Sequence, residues 1–254
     1  MNSILWGVLS GACIFGGAAF GHYLGRFLPK DHLTSDARDA MKVASGMIAT
    51  LVALVLGLMV ASAKNTFDTI NTQSVQIGSK ILYMDHLLSK YGPDAKPIRD
   101  QMHDSLAAGI KRIWPDEDNG MTGAQALQVG TGGMEKAQEM VEALTPATDA
   151  QRKIQAQADQ LFTDMQMSRW LAIEQLQSAL PTNFFLVLLC WLTLLYTCMG
   201  IYAPRNTTVL VAFGMSTLCF STAIFLIVEL SRPLDGLMKI SSAPLRNVLA
   251  HMDK

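Results

Sequence analysis

The chain has 254 residues and a formal net charge of -1, and half of its residues are hydrophobic. This balance excludes the concentrated basic surface that nucleic-acid binding requires, so we expect no nucleic-acid partner. The apolar residues are concentrated in four segments, 4–28, 43–63, 184–202 and 208–230. Because about 20 apolar helical residues cross a bilayer core of about 30 Å, the sequence predicts an all-α, polytopic membrane protein with four spans.

The first segment lacks the positive n-region of a secretory signal, because its first basic residue is Arg26. We therefore expect it to remain as a membrane helix. It carries Gly17, Gly21 and Gly25 at four-residue spacing, a pattern that lets membrane helices approach closely. Two interpretations stay open: these glycines pack within one chain, or they form an interface between subunits.

The second span runs without proline into a polar, helix-favouring stretch. Apolar or small residues recur there at alternating spacings of three and four, which is typical of a coiled-coil-like seam: Phe67, Ile70, Ser74, Ile77, Ile81, Met84, Leu88 and Tyr91. We predict one continuous helix from about Met41 to Tyr91. The seam also provides candidates for an oligomer interface between copies of the chain, namely Phe67, Ile70, Ile77, Ile81 and Met84.

Residues 64–181 predict a helical domain inserted between spans two and three. Gly92-Pro93 ends the long helix, and an apolar stripe from Ile98 to Trp114 marks the next one. Glycines interrupt a helix over 124–144, and Thr148 or Asp149 caps a last long helix.

The chain thus divides into residues 1–63 with spans one and two, the helical domain 64–181, residues 182–230 with spans three and four, and a tail, 231–254. The tail carries an amphipathic stripe that either docks on the helical domain or lies in the membrane interface: Leu245, Val248, Leu249 and Met252. Four spans put both termini and the helical domain on one side. Lys and Arg near the span ends are more numerous there, which predicts a cytoplasmic domain on a cell (inner) membrane protein.

Span two is the preferred pore-lining helix, because it alone continues into the seam. Leu51, Val55 and Leu58 lie on roughly one face and are suited to a dewetting constriction. Thr50 and Ser62 offer hydroxyls to a water-filled route, although isolated Ser and Thr more often bond the carbonyls of their own helix.

Glu229 completes this set of pore or gate candidates as the only acidic residue within the four predicted spans. A charge in a membrane is costly and therefore marks a functional candidate. Glu229 also lies near the end of span four, where it can reach water, and Arg232 follows at i+3. An ion-binding or gating role and an interface salt bridge both stay open.

No metal, cofactor or enzymatic activity is expected. The acidic loop Asp116–Gly120 lacks the spacing of a calcium-binding loop, since glycine comes fifth and Leu127 occupies position twelve. The five histidines have no zinc-site spacing, and no phosphate-binding or nucleophile motif occurs.

Several stretches together carry a resemblance to a known family: Leu54–Ala63 running into the polar helix, Ile113-Trp114, Arg169 followed by Leu180-Pro181, and the tail residues 232–236 and 241–245. They resemble the bestrophin-like domain family, which consists of four-span, mostly bacterial membrane proteins. The resemblance covers nearly the whole chain from about His32. It implies distant kinship to bestrophins, oligomeric anion channels with a cytoplasmic helical region.

Two features of the family pattern are missing. The family usually has a glutamate on the helix after span two, where this chain has Ser74, Val75 and Gln76. The aromatic neck of bestrophins is also absent, since span two has no aromatic residue before Phe67. No ion-contacting residue and no anion selectivity are therefore carried over.

Two functions follow as hypotheses. The first is a homo-oligomeric ion channel for an unidentified ion, in which span two lines the route and the cytoplasmic helices form a vestibule. The second is a non-conducting membrane scaffold or accessory subunit that recruits a partner protein through its helical domain.

Overall fold

A computed structural model describes residues 3–29, 34–115, 123–129, 132–177, 182–204 and 206–252. These residues form helices and no strand. In chain order the α-helices are α1 (Ser3–Leu24), α2 (Ser35–Tyr91), α3 (Lys96–Ile113), α4 (Gly123–Val129), α5 (Gly132–Glu142), α6 (Asp149–Gln177), α7 (Thr182–Tyr202), α8 (Thr207–Leu230) and α9 (Ala243–Met252).

Four of the described helices, α1, α2, α7 and α8, are long and apolar enough to cross a membrane. The expected all-α class with four candidate spans is therefore confirmed. The residues of the acidic loop 116–120, the glycine interruption at 130 and the Leu180-Pro181 pair lie outside the described residues.

The chain divides into two compact units. A membrane unit combines Met1–Asn65 with Ala179–Ser231, and a helical domain combines Thr66–Ser178 with Arg232–Lys254. The tail residues from Arg232 onward are grouped with the helical domain.

Helix α2 is continuous over 57 residues and passes from one unit into the other. The predicted single helix is confirmed, although it begins at Ser35, several residues before the expected Met41. Its end at Tyr91 is as predicted. Gly92 follows with φ 121°, a backbone conformation that glycine adopts readily and other residues do not.

In the membrane unit, α1 packs against α7 and α8. A Cβ atom added to Gly21 would lie 2.0 Å from the backbone oxygen of Thr197, and one added to Gly17 would lie 2.8 Å from that of Thr193. For Gly25 the nearest atom would be the backbone oxygen of Ile201, at 2.7 Å. Only a residue without a side chain permits this approach.

The glycine spacing is therefore accounted for by packing within one chain. The face of α1 that carries Gly17 and Gly21 is covered by α7, so these glycines are not available to a neighbouring subunit in this arrangement. This is one of the two interpretations that the spacing left open, since small residues at i and i+4 specify a close helix–helix contact but not the chain that supplies the second helix.

The seam of α2 is likewise covered by the chain itself. Ile81 and Met84 are 2% and 0% exposed and share a core with residues of α3, α5, α6 and α9. Ile70 is buried in a second cluster, and Phe67 and Ile77 are partly buried at the edges of the two clusters. These five residues thus contribute to the core of the helical domain, and an interface between copies through them stays a prediction. Heptad spacing identifies a buried face without identifying its cover.

Helices α3 and α6 of the domain begin and pack as predicted. The α3 stripe is buried at Ile98, Met102, Leu106 and Ile110. At the start of α6, the Thr148 hydroxyl accepts a hydrogen bond from the Gln151 backbone N–H at 3.2 Å, while Gln151 Oε1 accepts one from the Thr148 N–H at 3.2 Å. This reciprocal capping box shows that Thr148 is the cap.

Helix α9 docks on the helical domain. Leu245 and Val248 are buried in the same core as Ile81 and Met84, and Leu249 and Met252 pack against it. The predicted amphipathic stripe is confirmed, and of its two proposed locations the structure shows the docked one. Gly78 on α2 lets α9 approach, because a Cβ there would lie 3.3 Å from Val248.

Close packing at Gly21 gives a direct test of the membrane unit. We expect Gly21→Ala to lower the free energy of unfolding by about 1–3 kcal/mol, because the new methyl group would overlap the Thr197 carbonyl and force α1 and α7 apart. The matched control is Gly16→Ala on the same helix, where a Cβ meets no atom within 4 Å. Thermal unfolding of the detergent-solubilised protein measures both. Equal stability of the two variants would contradict the proposed contact.

Candidate functional site

The part of α2 that lies in the membrane unit has one covered face and one open face. Val52, Met59 and Ala63 are buried and lie on one side of the helix. On the other side, exposed apolar side chains recur at spacings of four and three and form the open face of α2: Val43, Met47, Leu51, Leu54 and Leu58. Leu54 and Leu58 are each 70% exposed. The side chains of this face are uncharged and apolar, so the face offers no fixed site for an ion.

The structure separates the pore candidates of α2 by their positions around the helix. Leu51 and Leu58 belong to the open face, and Thr50 and Ser62 are exposed at its flanks. Val55 is half-buried and turns away from it. Sequence analysis missed Val43, Met47 and Leu54, which the 3.6-residue helical period relates to Leu51 and Leu58.

Beyond the span, α2 exposes mainly polar residues. Exposed polar residues recur there at spacings of three and four, namely Asn65, Asp68, Thr72, Gln76 and Ser79, and the larger apolar side chains Val75, Leu82 and Tyr83 are also exposed. Helix α2 therefore exposes an apolar strip in the membrane unit and a mainly hydrophilic strip in the helical domain.

The hydroxyl groups of the spans mostly bond within their own helices, as isolated Ser and Thr commonly do. Thr50 Oγ1 donates to the Gly46 carbonyl at 2.9 Å, and Thr222 Oγ1 donates to that of Leu218 at 2.9 Å. Ser221 is different, because its hydroxyl donates to the Gly7 carbonyl of α1 at 2.6 Å and joins α8 to α1. Thr50 keeps its oxygen as a hydrogen-bond acceptor at the flank of the open face.

Glu229 lies on α8 and is fully buried, with 0% exposure. The Ser3 hydroxyl at the start of α1 donates a 2.5 Å hydrogen bond to Glu229 Oε2. The expectation that Glu229 reaches water is therefore wrong, because α1 covers it. Glu229 is consequently not brought onto the open face of α2, and its i+3 pairing with Arg232 stays a prediction.

The helical domain contains a cavity of about 190 Å³. Residues of α2, α3, α4, α5, α6, α9 and the tail line it, and most of the lining side chains are apolar. Among the lining residues that the structure describes, three are charged: Arg112, Glu135 and Arg169. No group of three or more His, Cys, Asp or Glu side chains among the described residues is placed to hold a metal ion.

Arg169 reaches across this domain from α6 to α4. Its Nε–H donates to the Leu127 carbonyl at 2.9 Å, and its second guanidinium nitrogen donates to the same oxygen. Burial lowers the pKa of Arg169 from its ordinary value; Glu135 acts in the opposite direction and Arg112 adds to the lowering. The guanidinium is thus held in a partly desolvated place with another cation near it.

Two hydrogen bonds fix the tail beside this cavity. Trp114 Nε1–H donates to the Ile240 carbonyl at 2.8 Å, and Asp235 Oδ1 accepts from the Gly123 backbone N–H at 2.7 Å. Leu234 and Ile240 are buried in one cluster with Ile70 and Ala172. The tail segment therefore closes the cavity wall, although its residues are more than 100 positions from Trp114 and Gly123 along the chain.

The Trp114 bond can be tested on its own. We expect Trp114→Phe to keep most of the apolar contact, lose the hydrogen bond to Ile240, and cost about 1 kcal/mol of stability. The tail should then open more often, so trypsin should cleave faster after the exposed Lys239. Trp170→Phe is the matched control, because Trp170 is 62% exposed. Equal cleavage rates for the two variants would argue against this anchoring role.

Comparison with known proteins gives one family match. No curated protein and no solved structure showed a significant match to the chain. The model of the bestrophin-like domain matches residues 12–245, which is nearly the whole chain and includes part of the first candidate span, the other three candidate spans, Trp114, Arg169 and the tail segment. The chain therefore belongs to the bestrophin-like domain family.

Proposed function

We propose that this protein is a homo-oligomeric ion channel in which the open faces of α2 from several copies surround the permeation route. The observation that carries this proposal is the burial pattern of α2. Only 11% of its most apolar window is buried within the chain, against 33% for α1, 28% for α7 and 17% for α8. A second copy, lipid or water must therefore contact most of this span.

Membership of the bestrophin-like family supports the choice of a channel, since it places the chain in a family named for its likeness to channel proteins. The succession of apolar and polar strips on α2 adds a physical argument. In the proposed assembly, Leu51, Leu54 and Leu58 form a ring that gates by excluding water. The strip from Asn65 to Ser79 then lines a hydrophilic vestibule.

The proposal includes an orientation. The helical domain and both termini lie in the cytoplasm, and the four spans lie in the cell (inner) membrane. The excess of Lys and Arg near the span ends on that side supports this arrangement. The permeant ion is not part of the proposal, because the open face of α2 carries no charge of either sign.

The first test is conduction by the purified protein in liposomes and planar bilayers. We expect Leu58→Ser to increase ion flux about tenfold, equivalent to a barrier lower by about 1.4 kcal/mol, because a hydroxyl group wets the constriction. Leu194→Ser on α7 is the control, since Leu194 is an exposed apolar residue of another span. Flux of K⁺ and Cl⁻ is measured separately with the same vesicles.

The second test is the oligomeric state of the solubilised protein. A cyclic oligomer with a hydrated axis is expected in projection images of the solubilised protein. A monomeric particle without conductance would refute the channel. An equal flux increase in the Leu58 and Leu194 variants would show that the open face of α2 contacts lipid and not the route.

One observation favours the alternative function, a non-conducting scaffold or accessory subunit. Helix α6 exposes three large apolar side chains, Met167, Trp170 and Leu171, each more than half exposed. Aromatic and Met side chains are common at protein interfaces, so this surface suits a partner protein. In that case a stable complex with a second protein should lose its partner on Trp170→Glu, and the purified chain should not conduct.

A further inference from the structure

The cavity of the helical domain has the composition of a small-molecule site. Ile77, Ile110, Phe162 and Met165 contribute to a wall that is mainly apolar, and the charged groups are few. Ligand sites commonly combine a mostly apolar wall with a small number of polar groups that fix orientation. The channel proposal makes no use of this cavity.

The charge balance of the wall favours an anion. Among the described lining residues, the charged side chains are two guanidinium groups, Arg112 and Arg169, and one carboxylate, Glu135. Burial lowers the pKa of Arg169, Glu135 acts in the opposite direction, and the nearby Arg112 adds to the lowering. A carboxylate placed between the two arginines would offset both the desolvation and the repulsion between them. Arg112 matches the geometry of a carboxylate with paired N–H donors, and Arg169, which donates to the Leu127 carbonyl, adds positive charge beside it.

The size of the cavity limits the apolar part of the ligand. An apolar cavity of about 150 Å³ takes a benzene-sized molecule, and this one measures about 190 Å³. Gly109 of α3 lines it, and a Cβ added there would meet no atom within 4 Å. The space beside Gly109 is therefore open to a ligand, and a side chain introduced at that position can fill it.

We propose that the cavity binds a small amphipathic monocarboxylate, with its carboxylate at Arg112 and Arg169 and an apolar body of about eight carbons along the wall formed by α2, α3 and α6. This site lies wholly in the helical domain. It does not depend on conduction, and its test reads binding and not flux.

The experiment uses the full-length protein in lipid nanodiscs and radiolabelled octanoate in a scintillation proximity assay. Empty nanodiscs define the amount that partitions into lipid. Saturable octanoate binding is expected, and unlabelled octanoate should displace the label. Octan-1-ol, which has the chain without the charge, and acetate, which has the charge with almost no chain, should each displace it at least about tenfold less effectively.

Two variants locate the site. Gly109→Leu should fill the cavity, and Arg112→Gln should remove one of the two cations; each is expected to weaken octanoate binding about tenfold or more. Ala108→Leu is the matched control, because Ala108 is exposed and neighbours Gly109 on the same helix. Thermal unfolding verifies that each variant is folded. If Gly109→Leu does not fold, the octanoate affinity of Arg112→Gln alone tests the site.

Three results would overturn the proposal. The first is a lack of saturable octanoate binding. The second is displacement by octan-1-ol as effective as displacement by octanoate, which would mean that the arginines recognise no anion. The third is full retention of affinity in both Gly109→Leu and Arg112→Gln, which would place the bound octanoate elsewhere on the protein.

Discussion

Helix α2 belongs to both units, and the division of its surface into a covered and an uncovered side is the constraint on which the other features depend. In the membrane unit α2 buries Val52 and Ala63, and in the helical domain it buries Ile70 and Leu88. Within each unit, the helical period that places one set of α2 residues in the packed face also fixes which of its residues remain uncovered.

The helices of the membrane unit associate for a different physical reason. Lipid chains are as apolar as leucine, so membrane helices gain little by hiding apolar side chains from lipid and associate instead by close packing and hydrogen bonds. Gly17 and Gly21 bring the backbone of α1 against α7, and the Ser221 hydroxyl bonds α8 to the Gly7 carbonyl on another part of α1. Helix α1 is therefore the element around which α7 and α8 assemble, although its sequence offers little besides small and apolar residues.

The elements that sequence analysis predicted correctly are those encoded by local pattern. The four spans follow from the lengths of apolar segments, the end of α2 from Gly92-Pro93, and the start of α6 from the Thr148 capping box. These local patterns do not indicate which helix packs against a given apolar face. The seam of α2 therefore suggested a second copy of the chain, where the structure has α3, α6 and α9.

The burial of Glu229 and the presence of the cavity could not be predicted from the sequence, for a related reason. Glu229 is buried by Ser3, a residue 226 positions away, and no spacing rule links the two. The cavity takes its wall from seven parts of the chain, each contributing a few unremarkable residues. The sequence feature that could have indicated the cavity is the presence of two cations, Arg112 and Arg169, on helix faces that are otherwise partly apolar. Only tertiary contact shows that these faces meet.

The docking of α9 has a consequence for how the protein is made. Leu245 and Val248 share a core with Met84 on α2 and Met102 on α3, yet they are synthesised after α7 and α8. Both later spans are therefore synthesised before the α9 residues of that core. Until then, the apolar groups that await α9 are exposed, and such surfaces attract chaperones and promote aggregation. Folding of the helical domain is thus completed only after α9 has been synthesised, and a nascent chain halted after α8 would leave exposed the apolar residues that α9 covers.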